Sequence, residues 1–290
     1  MSLKKRGIAV GVLCYVIWGI LPAYWNLLLG VNPLLILCGR VVFALVFMLC
    51  VLAVTGRMHV FFSTLKDRKK MRYLIPSAVL ITFNWGLYIW AVNSGHIIEA
   101  SLGYYMNPLI SFLLGVIIFS EKYTKLQLLA VGLALAGVLV SIIAFGSVPI
   151  IAISLATTFA TYGALKKKAH ADPNSSIAIE SLIAAPFALV LAFVFMTESI
   201  AAVNFTQMLL LIGGGAATAI PLVLYARAVN SIPYITIGFL QYISPTLAII
   251  YGVMIGTRPS DAQIVSFIFI GLGLIVFSIA LRRIAKKEAG

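Results

Sequence analysis

Charge is what this sequence has least of. Only 10% of its 290 residues are charged, and its acids number 8 against 21 lysines and arginines. A water-soluble domain of this length needs far more charge to cover its outside, so a soluble globular protein is excluded. Histidine and cysteine are scarce as well, at three each. Cys14, Cys38 and Cys50 all fall in apolar runs with no histidine or cysteine at ligand spacing, so neither a metal site nor a disulfide framework is indicated. The chain also has no HExxH, no Ser/His/Asp set and no phosphate-cradling GxxxxGK[ST]. The expectation is a protein that is not an enzyme, takes no cofactor and does not drive itself with ATP.

What fills the chain instead is apolar: 62% of residues are hydrophobic, and the mean hydropathy is +1.09. Runs of membrane-spanning length lie near 7–28, 34–55, 73–93, 101–119, 126–145, 147–165, 177–197, 207–229, 234–256 and 263–281. Ten such runs cannot all hide in one soluble core, so the chain reads as an all-α polytopic membrane protein. The basic head and apolar run at the start resemble a signal peptide. The run lacks a small-residue cleavage site, however, and is expected to stay as the first span. Between the fifth and sixth spans, Gly146-Ser147 must make a short turn, with Pro149 opening the next helix.

The basic residues settle an orientation. With the start of the chain inside, 18 of the 21 fall on cytoplasmic segments. They are Lys4, Lys5 and Arg6; Arg57, Lys66, Arg68, Lys69, Lys70 and Arg72; Lys122 and Lys125; Lys166, Lys167 and Lys168; and Arg282, Arg283, Lys286 and Lys287. Arg258 alone falls outside, and Arg40 and Arg227 lie within spans. Ten spans with both termini cytoplasmic satisfy the positive-inside rule; nine would not. The net charge of +13 is therefore an orientation signal, helped by anionic membrane lipids, and points to no nucleic-acid partner.

The chain also repeats itself. Sliding it by 137 residues matches Tyr88, Ala91, Val92, Asn93 and Ser94 to Tyr225, Ala228, Val229, Asn230 and Ser231. Tyr105, Pro108, Gly115 and Val116 then match Tyr242, Pro245, Gly252 and Val253 in the same register. Five spans per repeat is an odd number, so residues 1–145 and 146–290 should form two five-helix halves of inverted topology. Such halves supply two gates around one site, the logic of alternating access.

The stretches "YVIWGILPAYW" (15–25), "RVVF" (40–43), "NWGLYIWAVN" (84–93) and "EASLGYYMNPLISFLLGVIIFSEK" (99–122) carry a resemblance. So do "YGALKKK" (162–168), "IES" (179–181) and "GFLQYISPTL" (238–247). Together they resemble the EamA-type transporters of the drug/metabolite transporter superfamily, over nearly the whole chain. The resemblance implies ten helices in two inverted repeats, a central cavity and a bacterial inner membrane. It also implies export of amino acids, metabolites or drugs, without choosing among them. Two positions depart from the pattern: Gly39 replaces the histidine usual before Arg40, and Thr257-Arg258 replace the glutamate usual after the ninth span.

Charges inside spans are the sharpest local signal, because one at the bilayer centre costs at least ~2.5–3.5 kcal/mol. Arg40, in the second span, is expected to bridge helices or serve the cavity; the other reading is snorkelling to the outer surface. Glu180 lies near the cytoplasmic end of the seventh span and need not meet Arg40. It either snorkels or carries a coupling proton. A cavity for an amphipathic solute needs aromatic walls and a few fixed polar groups. Asn84 and Tyr88 share a face of the third span, and Tyr104, Asn107 and Ser111 a face of the fourth. Gln241 and Tyr242 stand in the ninth. Pro108, Pro221 and Pro245 are expected kinks. Glu99 suits a helix N-terminus. Glu121, at a helix C-terminus, needs another partner, for which residues 166–168 are candidates. The expected function is a secondary transporter of small organic solutes, with protons as a candidate coupling ion; an uncoupled facilitator or channel is the alternative.

Overall fold

In the computed structural model, which describes residues 3–254, 256, 258 and 260–287, every element is a helix. Met1 and Gly290, whose cytoplasmic placement the sequence implies, lie outside the described residues, as does Thr257. In chain order the helices are α1 (Leu3–Asn26), α2 (Pro33–Val54), α3 (Met58–Lys66), α4 (Arg68–Asn93), α5 (Ile97–Phe119), α6 (Lys125–Phe145) and α7 (Ile150–Ala169). They continue as α8 (Pro173–Phe195), α9 (Thr197–Ala201), α10 (Phe205–Ser231), α11 (Tyr234–Leu240), α12 (Ile243–Met254) and α13 (Asp261–Lys287).

Local chemistry sets the helix starts. Asn32 caps α2 with Pro33 in its first turn, and Asp172 caps α8 with Pro173 in its first turn. Asp67 accepts from the Lys69 and Lys70 amides at the start of α4. Thr124 with Gln127 and Asn204 with Gln207 form reciprocal capping pairs on α6 and α10. Gly146 ends α6 in the left-handed region, at φ 78°, so the expected turn there divides two helices.

Nine helical segments among the described residues are long and apolar enough to cross a membrane, with α11 and α12 together making one. The tenth long helix is α7, 20 residues ending in Lys166, Lys167 and Lys168. The chain is thus an all-α polytopic membrane protein of nine to ten long apolar helices. Val54, Ile143, Phe187 and Phe195 keep most of their surface exposed, which suits lipid and would be an aggregation liability in water.

Two features go beyond the spans read from the sequence. The connection after α2 holds the short helix α3, packed against α8 and α4. The ninth span is broken at Gln241 and Tyr242. Pro245 has no N–H to give the Gln241 carbonyl, which instead accepts the Ser244 amide at 3.1 Å. Pro245 therefore marks an interruption, whereas α5 and α10 run on as helices through Pro108 and Pro221.

The most extensive packing joins helices before Gly146 to helices after it: α6 to α13, α5 to α7 and α11, α4 to α7 and α8, α2 to α8 and α10, and α1 to α10 and α12. Small residues let backbones meet at these crossings. A Cβ at Gly215 of α10 would overlap the backbone carbonyl of Phe43 in α2. A Cβ at Gly163 of α7 would overlap the hydroxyls of Tyr225 and Tyr234.

Candidate functional site

Where α1, α2, α4, α5, α7, α10 and α12 converge, the bundle leaves a cavity of about 260 Å³, at the small end of ligand pockets. From α1 it receives Tyr15, Trp18, Pro22 and Trp25, spaced three, four and three apart and so on one helical face. Tyr15, Tyr162, Tyr225 and Tyr234 are buried together beneath it, with Tyr162 and Tyr225 stacked 5.9 Å apart. Tyr234 locks this layer by donating its hydroxyl to the Ala160 carbonyl at 2.5 Å.

Arg40 reaches the same cavity from α2. Its guanidinium carbon lies 4.7 Å from the Trp25 ring centre and 4.9 Å from that of Trp85. Its Nε donates to Thr218 Oγ1 at 3.1 Å. The arginine therefore ties α1, α2, α4 and α10 together at the cavity wall, in place of snorkelling outward.

Asn84, Tyr88, Tyr104, Asn107 and Gln241 all line the cavity. The Tyr88 and Tyr104 rings meet edge to face at 5.6 Å, and Tyr104 keeps 43% of its surface accessible. Asn84 is already committed through its amide nitrogen, which donates to the Leu155 carbonyl and to Thr158 Oγ1, each at 2.8 Å. Asn107 likewise donates to the Ala156 carbonyl at 2.8 Å. Both asparagines join α7 to its neighbours; Asn84 leaves only its amide oxygen free, whereas that of Asn107 accepts from Ser111. Gln241 forms no side-chain hydrogen bond among the described residues, and the buried Tyr15 hydroxyl has no partner.

Ser111 and Tyr242 are not among the residues lining the cavity. The α5 face that begins with Tyr104 and Asn107 is closed further along by α11. There Ser111 donates to Asn107 Oδ1 at 3.2 Å and sits against Gly238. At the break after α11, Gln241 turns toward the cavity while Tyr242 turns away into a second core, its hydroxyl on the Tyr105 carbonyl at 3.1 Å. Of the prolines, Pro245 lines the cavity; Pro108 and Pro221 do not, and the Pro221 carbonyl accepts Cys14 Sγ at 3.1 Å.

Glu180 does not snorkel. It is 5% exposed and pairs with Lys166 Nζ at 3.0 Å. Ser77 Oγ and the Tyr162 hydroxyl also donate to it, at 2.6 and 3.3 Å. Lys166, read from sequence as one of three basic residues on a cytoplasmic segment, is 3% exposed inside the last turn of α7. A small void of about 20 Å³, one water's worth, is lined by Glu180 and also by Arg40, Trp85 and Thr218 of the main cavity.

The remaining carboxylates cap helices from a distance. α7 and α11 have no side-chain cap of their own. Glu99, in the first turn of α5, accepts the Ile151 amide of α7 at 2.7 Å, so it serves a second helix as well. Glu121 accepts the Tyr234 and Ile235 amides of α11 at 2.6 and 2.9 Å, and lies 3.7 Å from Lys167. The anticipated partner among residues 166–168 is thus Lys167, joined by a helix N-terminus.

Comparison with known proteins gives the same picture. The sequence pattern of the EamA-like transporter family matches residues 5–143 and again 147–279. The chain is 38% identical over 277 residues to Protein RarD of Escherichia coli, covering 94% of each chain. It is 37% identical over 279 residues to the uncharacterized transporter YojE of Bacillus subtilis, covering 94% of each. It is 25% identical over 299 residues to the chloramphenicol-sensitive protein RarD of Pseudomonas aeruginosa, covering 100% of this chain and 99% of that one. A crystal structure at 15% identity superposes with a TM-score of 0.75, covering 97% of this chain and 99% of the other.

Proposed function

The chain belongs to the EamA-like transporter family, in its RarD-like group, and we propose that it moves small organic solutes by alternating access, as an exporter in a bacterial inner membrane. The observation that carries this reading is the cavity. It lies where helices from before and after Gly146 meet, walled by aromatics and a few polar groups.

The packing supports inverted halves divided at 145/146. Pairing α1 with α7, α2 with α8, α4 with α10, α5 with α11–α12 and α6 with α13 turns each major contact into another major contact. α1 on α10 becomes α7 on α4, α2 on α10 becomes α8 on α4, and α5 on α7 becomes α12 on α1. A two-fold exchange of this kind lets one sequence of contacts open on either side. The family pattern matching twice, once on each side of the boundary, points the same way.

Glu180 is the carboxylate through which a proton would couple. One observation favours the uncoupled reading instead: Glu180 is held by Lys166 and by the Ser77 and Tyr162 hydroxyls and does not line the main cavity. Uptake by purified protein in proteoliposomes, against a panel of small organic solutes with and without a proton gradient, decides both questions. Saturable, protein-dependent flux supports the transporter. Accumulation only with the gradient supports coupling, and no flux of any solute refutes the transporter reading.

A further inference from the structure

Arg40 is the one charged side chain lining the main cavity among the described residues. Three carboxylates that could have balanced it are engaged elsewhere. Glu180 pairs with Lys166, Glu99 holds the Ile151 amide, and Glu121 holds the α11 amides and Lys167. The indoles of Trp25 and Trp85 stabilise the guanidinium without cancelling its charge. Of its five N–H donors, Thr218 accepts from Nε, and the terminal nitrogens have no acceptor among the described residues. A partly buried cation with open donors, in a cavity whose lining carries no carboxylate, is a half-built ion pair.

From this we infer that the solute is an organic anion, a small carboxylate with an aromatic or apolar body, whose carboxylate meets Arg40. This rests on the transporter reading above and narrows it. A planar guanidinium offers paired N–H groups that match a carboxylate's two oxygens. The rest of the lining suits the body of such a molecule: Trp18, Tyr88, Tyr104 and Phe159 give ring surface. The Gln241 amide offers a further donor. An amino acid fits less well, because its ammonium would need a carboxylate and the lining has none. A cationic drug would meet like charge.

The test is calorimetric binding to purified full-length protein, using four probes that share a benzyl group: phenylacetate, phenylacetamide, phenethylamine and phenylalanine. Phenylacetate should bind at least ~10-fold more tightly than each of the others, about 1.4 kcal/mol. Arg40→Gln should lose that preference, weakening phenylacetate far more than phenylacetamide. Arg40→Lys, which keeps the charge and loses the fork, should fall between. If the amide or the amine binds as well as the acid, if the acid does not bind, or if its preference survives in Arg40→Gln, the inference fails. The wild-type comparison decides even where Arg40→Gln does not fold. Flux separates the two readings. Binding of phenylacetate without its uptake into proteoliposomes would sink transport and leave the anion site. Equal uptake of acid and amide by wild type would sink the anion site and leave transport.

Discussion

Removing Lys166 should unfold this protein more readily than removing the whole pair to which it belongs. In Lys166→Met, Glu180 keeps the Ser77 and Tyr162 hydroxyls as donors but loses its counter-charge. Breaking a buried pair costs about 3–5 kcal/mol, and two surviving donors set the expectation near the lower end. Glu180→Met should cost a similar amount, since the ammonium would then keep only Ser176 Oγ, at 2.8 Å. In the double variant Lys166→Met/Glu180→Met no charge is left. Ser77 and Ser176 still donate to the Leu74 and Pro173 carbonyls, and only the Tyr162 hydroxyl is orphaned. One buried orphan costs about 1–3 kcal/mol. The singles therefore sum to about 6 kcal/mol and the double to about 2, a coupling of roughly 4 kcal/mol. Reversible unfolding in mixed micelles reads all four stabilities. A double variant as unstable as the sum of its singles would show that the two groups do not act as a pair.

Other outcomes follow from the same geometry. Glu180→Gln should abolish accumulation driven by a proton gradient, while leaving solute exchange, if that carboxylate carries the proton; unchanged uphill transport at equal protein level removes it from the cycle. Asn84→Ala should lower stability by about 0.6–1.7 kcal/mol, because its amide bridges α4 to α7. Tyr88→Phe should keep stability and weaken solute binding a few-fold, the worth of one hydrogen bond, ~0.5–1.5 kcal/mol; the reverse pattern would exchange their roles. In a background without the native cysteines, single cysteines at Gly30, Glu198 and Asp261 should react with an impermeant thiol reagent from outside. Those at Ser63, Asp172 and Gly290 should not, and outside labelling of Gly290 would overturn the ten-span orientation.

How much of this was legible in the sequence depends on whether a residue's partner lies near it in the chain. Spans and the turn at Gly146 follow from local chemistry, and the sequence places them well. Arg40 and Glu121 stood out because a charge in a span, or a carboxylate at a helix C-terminus, is costly without a partner. The identity of the partner was another matter. Lys166 looks like its neighbours in a run of three, and only the tertiary fold, which brings Ser176 and Glu180 of α8 to it, buries it while Lys168 stays exposed. Trp18, Trp25 and Trp85 were hidden for a different reason: in a membrane span an indole reads as one more apolar side chain. The 15, 18, 22, 25 spacing on α1 was the available signal. Ser111 and Tyr242 were misplaced because helical spacing gives a face but not how far along it a cavity extends, nor a break such as that at Gln241.

The central claim is that solute passes through the cavity between the two halves. Ala248 of α12 lines it, so Ala248→Trp fills the space without removing any polar contact. The decisive measurement is uptake of a transported solute by proteoliposomes holding equal amounts of folded wild-type and Ala248→Trp protein. Flux should fall at least ~10-fold, with the melting temperature within a few degrees of wild type. Undiminished flux through a protein whose cavity is filled would contradict the account.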